Sequence, residues 1–281
     1  MPNCAAIATL HHKDRYIAAP LQSALQWQVT AYTDFDTDAL GTFSGEIQRK
    51  LAPLDCAIEK ARQALNAESV DFGLGNEGSF NADPFMLCTV NQELVVAVDE
   101  QGEVLATGKH TAPINIDIIE LAAHDWSSKS TEVDEFIQRL PTNQAAILIA
   151  KDQQQAIVEV HKPLLEQSAI FVALDQASSN PNVWLLELTY DLRAMHCPQR
   201  QVNITRAAED LARRLTHHCP SCSAVDFVAE DSIAGLPCEL CGSPTSATKA
   251  IIARCKHCGY EETTAVSAAV ASAAQCSLCN P

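Results

Sequence analysis

Eight of the twelve cysteines fall into four Cys-x-x-Cys pairs: Cys219/Cys222, Cys238/Cys241, Cys255/Cys258 and Cys276/Cys279. Such a turn presents two thiolates at one edge of a tetrahedral site, and two turns complete the four sulfur ligands of a Zn²⁺ ion. Eight ligands therefore imply two ions. A four-thiolate site has no open coordination position, so the zinc is expected to be structural and to supply folding free energy to a segment too short to bury a core. The stretch CELCGSPTSATKAIIARCKHCGYEE has the form of a zinc ribbon, with Gly242 and Gly259 each following the second cysteine of a pair and AIIA as a strand. A nested arrangement is preferred, with Cys238/Cys241 and Cys255/Cys258 sharing one ion and the outer pairs the other. The spacing rule acts within a pair and not between pairs, so sequential and crossed arrangements stay open. Cys4, Cys56, Cys88 and Cys197 are scattered and read as small buried hydrophobes.

Four polar stretches upstream carry residue types suited to chemistry. In LHHKDR, Lys13 follows a predicted strand and suits a phosphate-binding cation, the plain alternative being a solvated loop. In YTDFDTDALGTFSGEIQRK, Asp34, Asp36, Asp38 and Glu46 crowd around Gly41 and Gly45. This is no EF-hand, because the sixth and twelfth positions from Asp34 are Ala39 and Gly45, but Mg²⁺ needs only one or two carboxylates beside water or phosphate. The alternative is a capped turn entering a helix. In GLGNEGSF, Glu77 sits between Gly75 and Gly78, which let a backbone approach a ligand. In ELTYDLRAMHCPQR, Glu187, Asp191, Arg193, His196 and Arg200 gather ahead of a helix, where arginines can clamp an anion or tie a structural knot. The catalytic candidates are Glu46, Glu77 and Asp38, and the substrate-binding candidates are Lys13, Arg193, His196 and Arg200.

The elements that must position these residues follow from periodicity. Strands are predicted over 5–9, 28–32, 70–74, 94–98, 104–107, 146–150, 157–160 and 183–188, alternating with helical segments as in an α/β protein. The segment 53–66 places Leu54, Ile58, Ala61 and Leu65 on one helix face, and DEQGE with Gly102 reads as a hairpin turn. A helix over 203–217 is capped by Asn203. The expected fold is α/β, a mixed, mostly parallel sheet with flanking helices over 1–216, followed by a small zinc-ribbon-type module over 217–281. The formal charge of −16 opposes binding to phosphate backbones and anionic membrane surfaces. No run approaches the roughly 18 apolar residues of a membrane span, and the amino terminus lacks a basic flank before an apolar run. A cytoplasmic protein without nucleic-acid or membrane partners is expected.

TDALGTFSGE, NEGSF, DLRAMHCPQR, GLPCELCG and CSLCNP together resemble an uncharacterised bacterial family, a domain of unknown function with a cysteine-rich tail. The resemblance spans nearly the whole chain and implies the architecture without an activity; NEGSFNADPF departs from relatives that carry Gly, Pro and His there. A weaker similarity is to the fold of inosine/xanthosine triphosphate pyrophosphatases, in the order of a Lys loop, an acidic turn before an Ala-rich helix and a glycine-flanked Glu. That similarity implies that Lys13, Glu46 and Glu77 handle phosphate and Mg²⁺. The expected function is binding of an anionic small molecule, with Mg²⁺-dependent nucleotide phosphohydrolysis as its sharpest form. The alternative is a non-enzymatic adaptor that docks a protein through the zinc module.

Overall fold

The structure, a computed structural model, describes residues 3–42, 46–83 and 87–281. Gly45 in the acidic turn and Pro84 and Phe85 in the NADPF stretch lie outside the described residues. The chain divides into two compact units, Met1–Ala212 and Arg213–Pro281.

In the first unit β1 (Cys4–Ala8), α1 (Asp14–Leu25) and β2 (Gln28–Tyr32) form a parallel crossover. After α2 (Pro53–Ala64) the chain returns as β3 (Phe72–Asp83) on the other side of β1, again parallel. β4 (Cys88–Val98) and β5 (Val104–Ile114) then meander antiparallel, giving the order β2-β1-β3-β4-β5. A second sheet uses β6 (Ile118–Ala122), β7 (Ala146–Lys151), β8 (Ile157–Leu164) and β9 (Leu185–Tyr190) in the order β6-β9-β7-β8, antiparallel throughout. The expectation of a mostly parallel sheet is thus corrected. Parallel pairing needs a crossover of a dozen or so residues. Connections of that length join β6 to β7 and β8 to β9 as well, but in the second sheet an antiparallel strand lies between the two members of each such pair, so only the crossovers through α1 and α2 lead to parallel neighbours. The predicted hairpin is present, with Gly102 at φ +79° closing the link from β4 to β5.

The helix α2 lies on the first sheet by a face rotated from the expected one. Its buried residues are Cys56, Ala57, Lys60, Ala61 and Ala64, while Leu54 is exposed. The reason lies on β3: a Cβ at Gly75 would stand 1.9 Å from the Ala57 carbonyl oxygen, and one at Gly73 2.0 Å from that of Ala61. Gly75 therefore admits a helix backbone rather than a ligand. Only an alanine face can come that close.

In the second sheet α3 (Thr131–Arg139) and α4 (Gln167–Ser178) pack Val133, Phe136, Ile170 and Leu174 against Leu148, Leu186 and Leu188. Side chains alternate along strands, so Ile147 and Ile149 of β7 and Glu187 and Thr189 of β9 project to the opposite face. The helix α5 (Pro198–Thr216) begins at Pro198, whose missing N–H is harmless in a first turn. Asn203 is therefore a buried interior residue, not a cap, and its amide donates to Asn91 Oδ1 at 2.8 Å.

The second unit is built on a three-stranded antiparallel sheet of β10 (Ala229–Ala234), β11 (Thr248–Arg254) and β12 (Glu261–Ala265). Among the described residues no helix is long and apolar enough to cross a membrane.

Candidate functional site

The loop between β1 and α1 is pinned by Thr9, whose hydroxyl accepts from the backbone N–H of His11 at 3.1 Å and of Lys13 at 3.3 Å. This turns Lys13 inward. Its side chain enters a recess lined by His11, Lys13, Thr37, Asp38, Gly41, Thr42, Lys60, Glu77, Lys162 and Arg193. The recess encloses about 30 Å³, room for one water or for the terminal oxygens of an anion. Lys13 is 6% exposed and donates one long hydrogen bond, 3.4 Å, to the Asn76 carbonyl. No carboxylate stands within salt-bridge reach of it among the described residues. Burial, with the charges of Lys60 and Arg200, draws its amine down from 10.5 to about 7.

The other groups of the recess are held in pairs. Glu77 takes Arg49 on one oxygen and Lys60, at 2.5 Å, on the other. Burial would raise its carboxyl, but Lys60, Lys13 and Arg49 outweigh burial and hold it below the usual range. Asp38 lies 2.9 Å from His11 Nε2, and that hydrogen bond is the main cause of its lowered pKa. Asp36 caps the turn that carries Asp38 by accepting from its backbone N–H at 3.0 Å. Glu46 pairs with Lys162 of β8. Arg193 grips Asp191 in a fork, through Nε at 3.0 Å and Nη2 at 2.6 Å.

Of the residues expected from sequence, Lys13, Asp38, Glu77 and Arg193 line this one recess, and Glu46 reaches it through Lys162. Asp38, Glu46 and Glu77 each face a cation or a histidine, and they do not converge on a common ion position among the described residues. Arg200 sits deeper, 1% exposed, with its Nε 2.6 Å from Glu93 Oε1 and Nη1 donating to the Leu192 carbonyl at 2.7 Å. Glu93 also accepts from Asn76 and Asn91, both at 3.1 Å, so this buried network ties α5 to β3 and β4. His196 does not line the recess; burial lowers its pKa. Sequence reading missed Lys60, Arg49 and Lys162. Lys60 carried a signal, because it falls in the stripe Ala57, Lys60, Ala61, Ala64, where only small residues are otherwise found.

In the second unit the cysteines form two interleaved tetrads. Cys219, Cys222, Cys255 and Cys258 make one, and Cys238, Cys241, Cys276 and Cys279 the other. The preferred nested pairing is corrected to first with third and second with fourth. The antiparallel β10-β11-β12 sheet is the cause, since β11 ends at Arg254 and delivers Cys255 beside the chain entering β10. Sulfur–sulfur distances are 3.7 Å for Cys219–Cys258, 3.6 Å for Cys222–Cys255, 3.9 Å for Cys238–Cys279 and 3.6 Å for Cys241–Cys276. Four sulfurs bound at about 2.3 Å around a tetrahedral ion lie about 3.8 Å apart, so each tetrad has the dimensions to hold a metal ion. Cys279 is pushed up to about 12 by its hydrogen bond with Cys241, which Ser243 draws down to about 6. Four such thiols cannot all ionise without a cation between them. Around the first tetrad, Asp226 is held by Arg214 at 2.8 Å and Lys256 at 2.7 Å.

Residues 60–281 match the model of DUF6671, a family described as a domain of unknown function. The chain belongs to this family. The match takes in both cysteine tetrads and, in the first unit, Lys60, Glu77, Glu93, Arg193 and Arg200, while Lys13 and Asp38 precede it. No curated protein and no solved structure matches the chain.

Proposed function

We propose that the first unit of this DUF6671 protein binds a phosphate-bearing small molecule, and that its second unit holds two structural zinc ions. The observation that carries the first part is Lys13: a lysine 94% removed from solvent, inside a recess, with one long hydrogen bond and, among the described residues, no carboxylate within salt-bridge reach. Such a group costs free energy in the empty protein, and an anion entering the recess would offset that cost. Arg193 and Lys162 at the same recess add cationic donors suited to a phosphoryl group. Hydrolysis of a nucleotide with Mg²⁺ is the activity to assay first. Asp38, Glu46 and Glu77 each already face a cation or a histidine, so no step is routed through the metal.

Zinc is the ion that best suits four thiolates at these distances. Such a site requires reduced cysteines and so favours the cytoplasm.

The test is binding of inorganic phosphate and pyrophosphate, with and without Mg²⁺, to the full chain and to Lys13→Met. Binding lost in the variant supports the reading; equal binding by both removes Lys13 from it. Phosphate release from a nucleotide panel then decides for or against an enzyme. A second reading, an adaptor that docks a protein through the cysteine module, is favoured by Leu240 and Leu278. Both lie within pairs of the second tetrad and are 75% and 72% exposed.

A further inference from the structure

Beside the cationic recess lies a larger cavity of about 180 Å³, lined by Ile116, Ile118, Ile147, Ile149 and Tyr190 together with polar side chains. Lys162 and Arg193 line both spaces. The apolar wall is the face of the second sheet that α3 and α4 leave uncovered, and Ile118 at its edge is 54% exposed. A dry cavity of about 150 Å³ lined by aliphatic side chains is enough to take a benzene ring. The small recess has room for an anionic terminus alone, and the adjoining cavity has room for a ring.

The polar side chains of the wall are already engaged within the protein. Glu187 pairs with Lys151 at 2.6 Å, the Thr189 hydroxyl donates to the Asp117 carbonyl at 2.9 Å, and the Tyr190 hydroxyl donates to the Arg139 carbonyl at 3.1 Å. Asp191 is gripped by Arg193. A ring placed here meets apolar contact rather than a set of waiting donors and acceptors.

We infer that the ligand is a phosphate monoester of a ring-bearing alcohol, with its phosphate at Lys13 and Arg193 and its ring against Ile118, Ile147 and Ile149, held without hydrogen bonds to the ring edge. This rests on the anion-binding reading above and names the substrate class of the same site. Calorimetry on the full chain compares inorganic phosphate, phenyl phosphate, uridine monophosphate and cytidine monophosphate. Phenyl phosphate is expected to bind at least about tenfold more tightly than inorganic phosphate, about 1.4 kcal/mol. Ile118→Ser, at an exposed position, and Ile149→Ser should each remove that gain and, adding no charge, leave inorganic phosphate binding unchanged. The two nucleotides should bind within about threefold of each other, since nothing reads the base.

If inorganic phosphate binds and phenyl phosphate binds no more tightly, or if the gain survives both substitutions, the inference is overturned while the anion reading stands. Tenfold discrimination between the two nucleotides overturns the unread ring edge. Failure of every probe, inorganic phosphate included, removes the anion reading itself.

Discussion

Replacing Lys13 by methionine should make the ligand-free protein more stable while abolishing its response to anions. The folded-state amine stands at about 7 against 10.5 for an ordinary lysine. An unfolded chain therefore holds a proton on this residue over a window in which the folded chain has lost it, and stability rises with pH between about 7 and 10.5. Below that window both states are protonated and the folded state carries the whole penalty. At 1.36 kcal/mol per pH unit the difference amounts to about 4 kcal/mol at pH 7. In a unit of this size that is about 10 °C in Tm. All three tryptophans, Trp27, Trp126 and Trp184, belong to the first unit, so fluorescence-detected unfolding of the full chain reports on it. Lys13→Met should melt above the parent at pH 7, with the gap closing as pH approaches 10.5. Sulfate, whose charge is constant over this range, should stabilise the parent by mass action and leave the variant unmoved. A variant that melts below the parent at pH 7 without anion would refute the reasoning, since Lys13 would then be a structural cation already satisfied by the protein.

Arg200→Met leaves Glu93 charged and buried at 0% exposure, and should cost about 3 to 5 kcal/mol in urea unfolding; a loss below about 1 kcal/mol would show the network to be dispensable. Gly75→Ala drives a methyl into the Ala57 carbonyl and should lower the thermal midpoint of the first unit by several degrees, whereas Gly242→Ala, with open space around it, should act only through its φ of +72°. Cys222→Ser with Cys258→Ser removes two ligands of one tetrad and leaves the other whole, so native mass spectrometry in excess zinc should show one metal ion bound, while no ion bound even in excess zinc would restore the nested pairing.

What the sequence disclosed and what it hid follow from the range of the interactions involved. The cysteine pairs were legible because ligand spacing within a turn is local, but their partnership depends on which strand ends meet. Four of the residues singled out from sequence, Lys13, Asp38 and Arg193 in loops or turns and Glu77 within β3, line the recess, each a charged group beside short apolar runs. Lys60 and Arg49 were hidden because a lysine in a helix and an arginine before it look like ordinary solvated residues. Only the glycines of β3, which turn the alanine face of α2 inward, bury Lys60 against Glu77. The strand β6 escaped notice because its five residues carry little signal alone and are fixed by β9, far along the chain. Arg200, placed ahead of a predicted helix, was open to two readings, an anion clamp beside the helix N-terminus or part of a salt-bridged knot, and its pairing with Glu93 has the form of the second. The helix begins earlier, and the residue turns inward.

The crossed order of the cysteine tetrads would make two ions bound there interdependent. When the first ion joins Cys219/Cys222 to Cys255/Cys258, the loop it closes contains Cys238/Cys241, half of the other site. Those two thiols are then confined to a small volume, and the entropy of gathering the second set is partly spent before its ion arrives. A half-loaded module is therefore the scarce species. Under rising chelator the tail should pass from two ions to none over a narrow range of concentration, behaving as a threshold rather than as two independent reporters of metal supply.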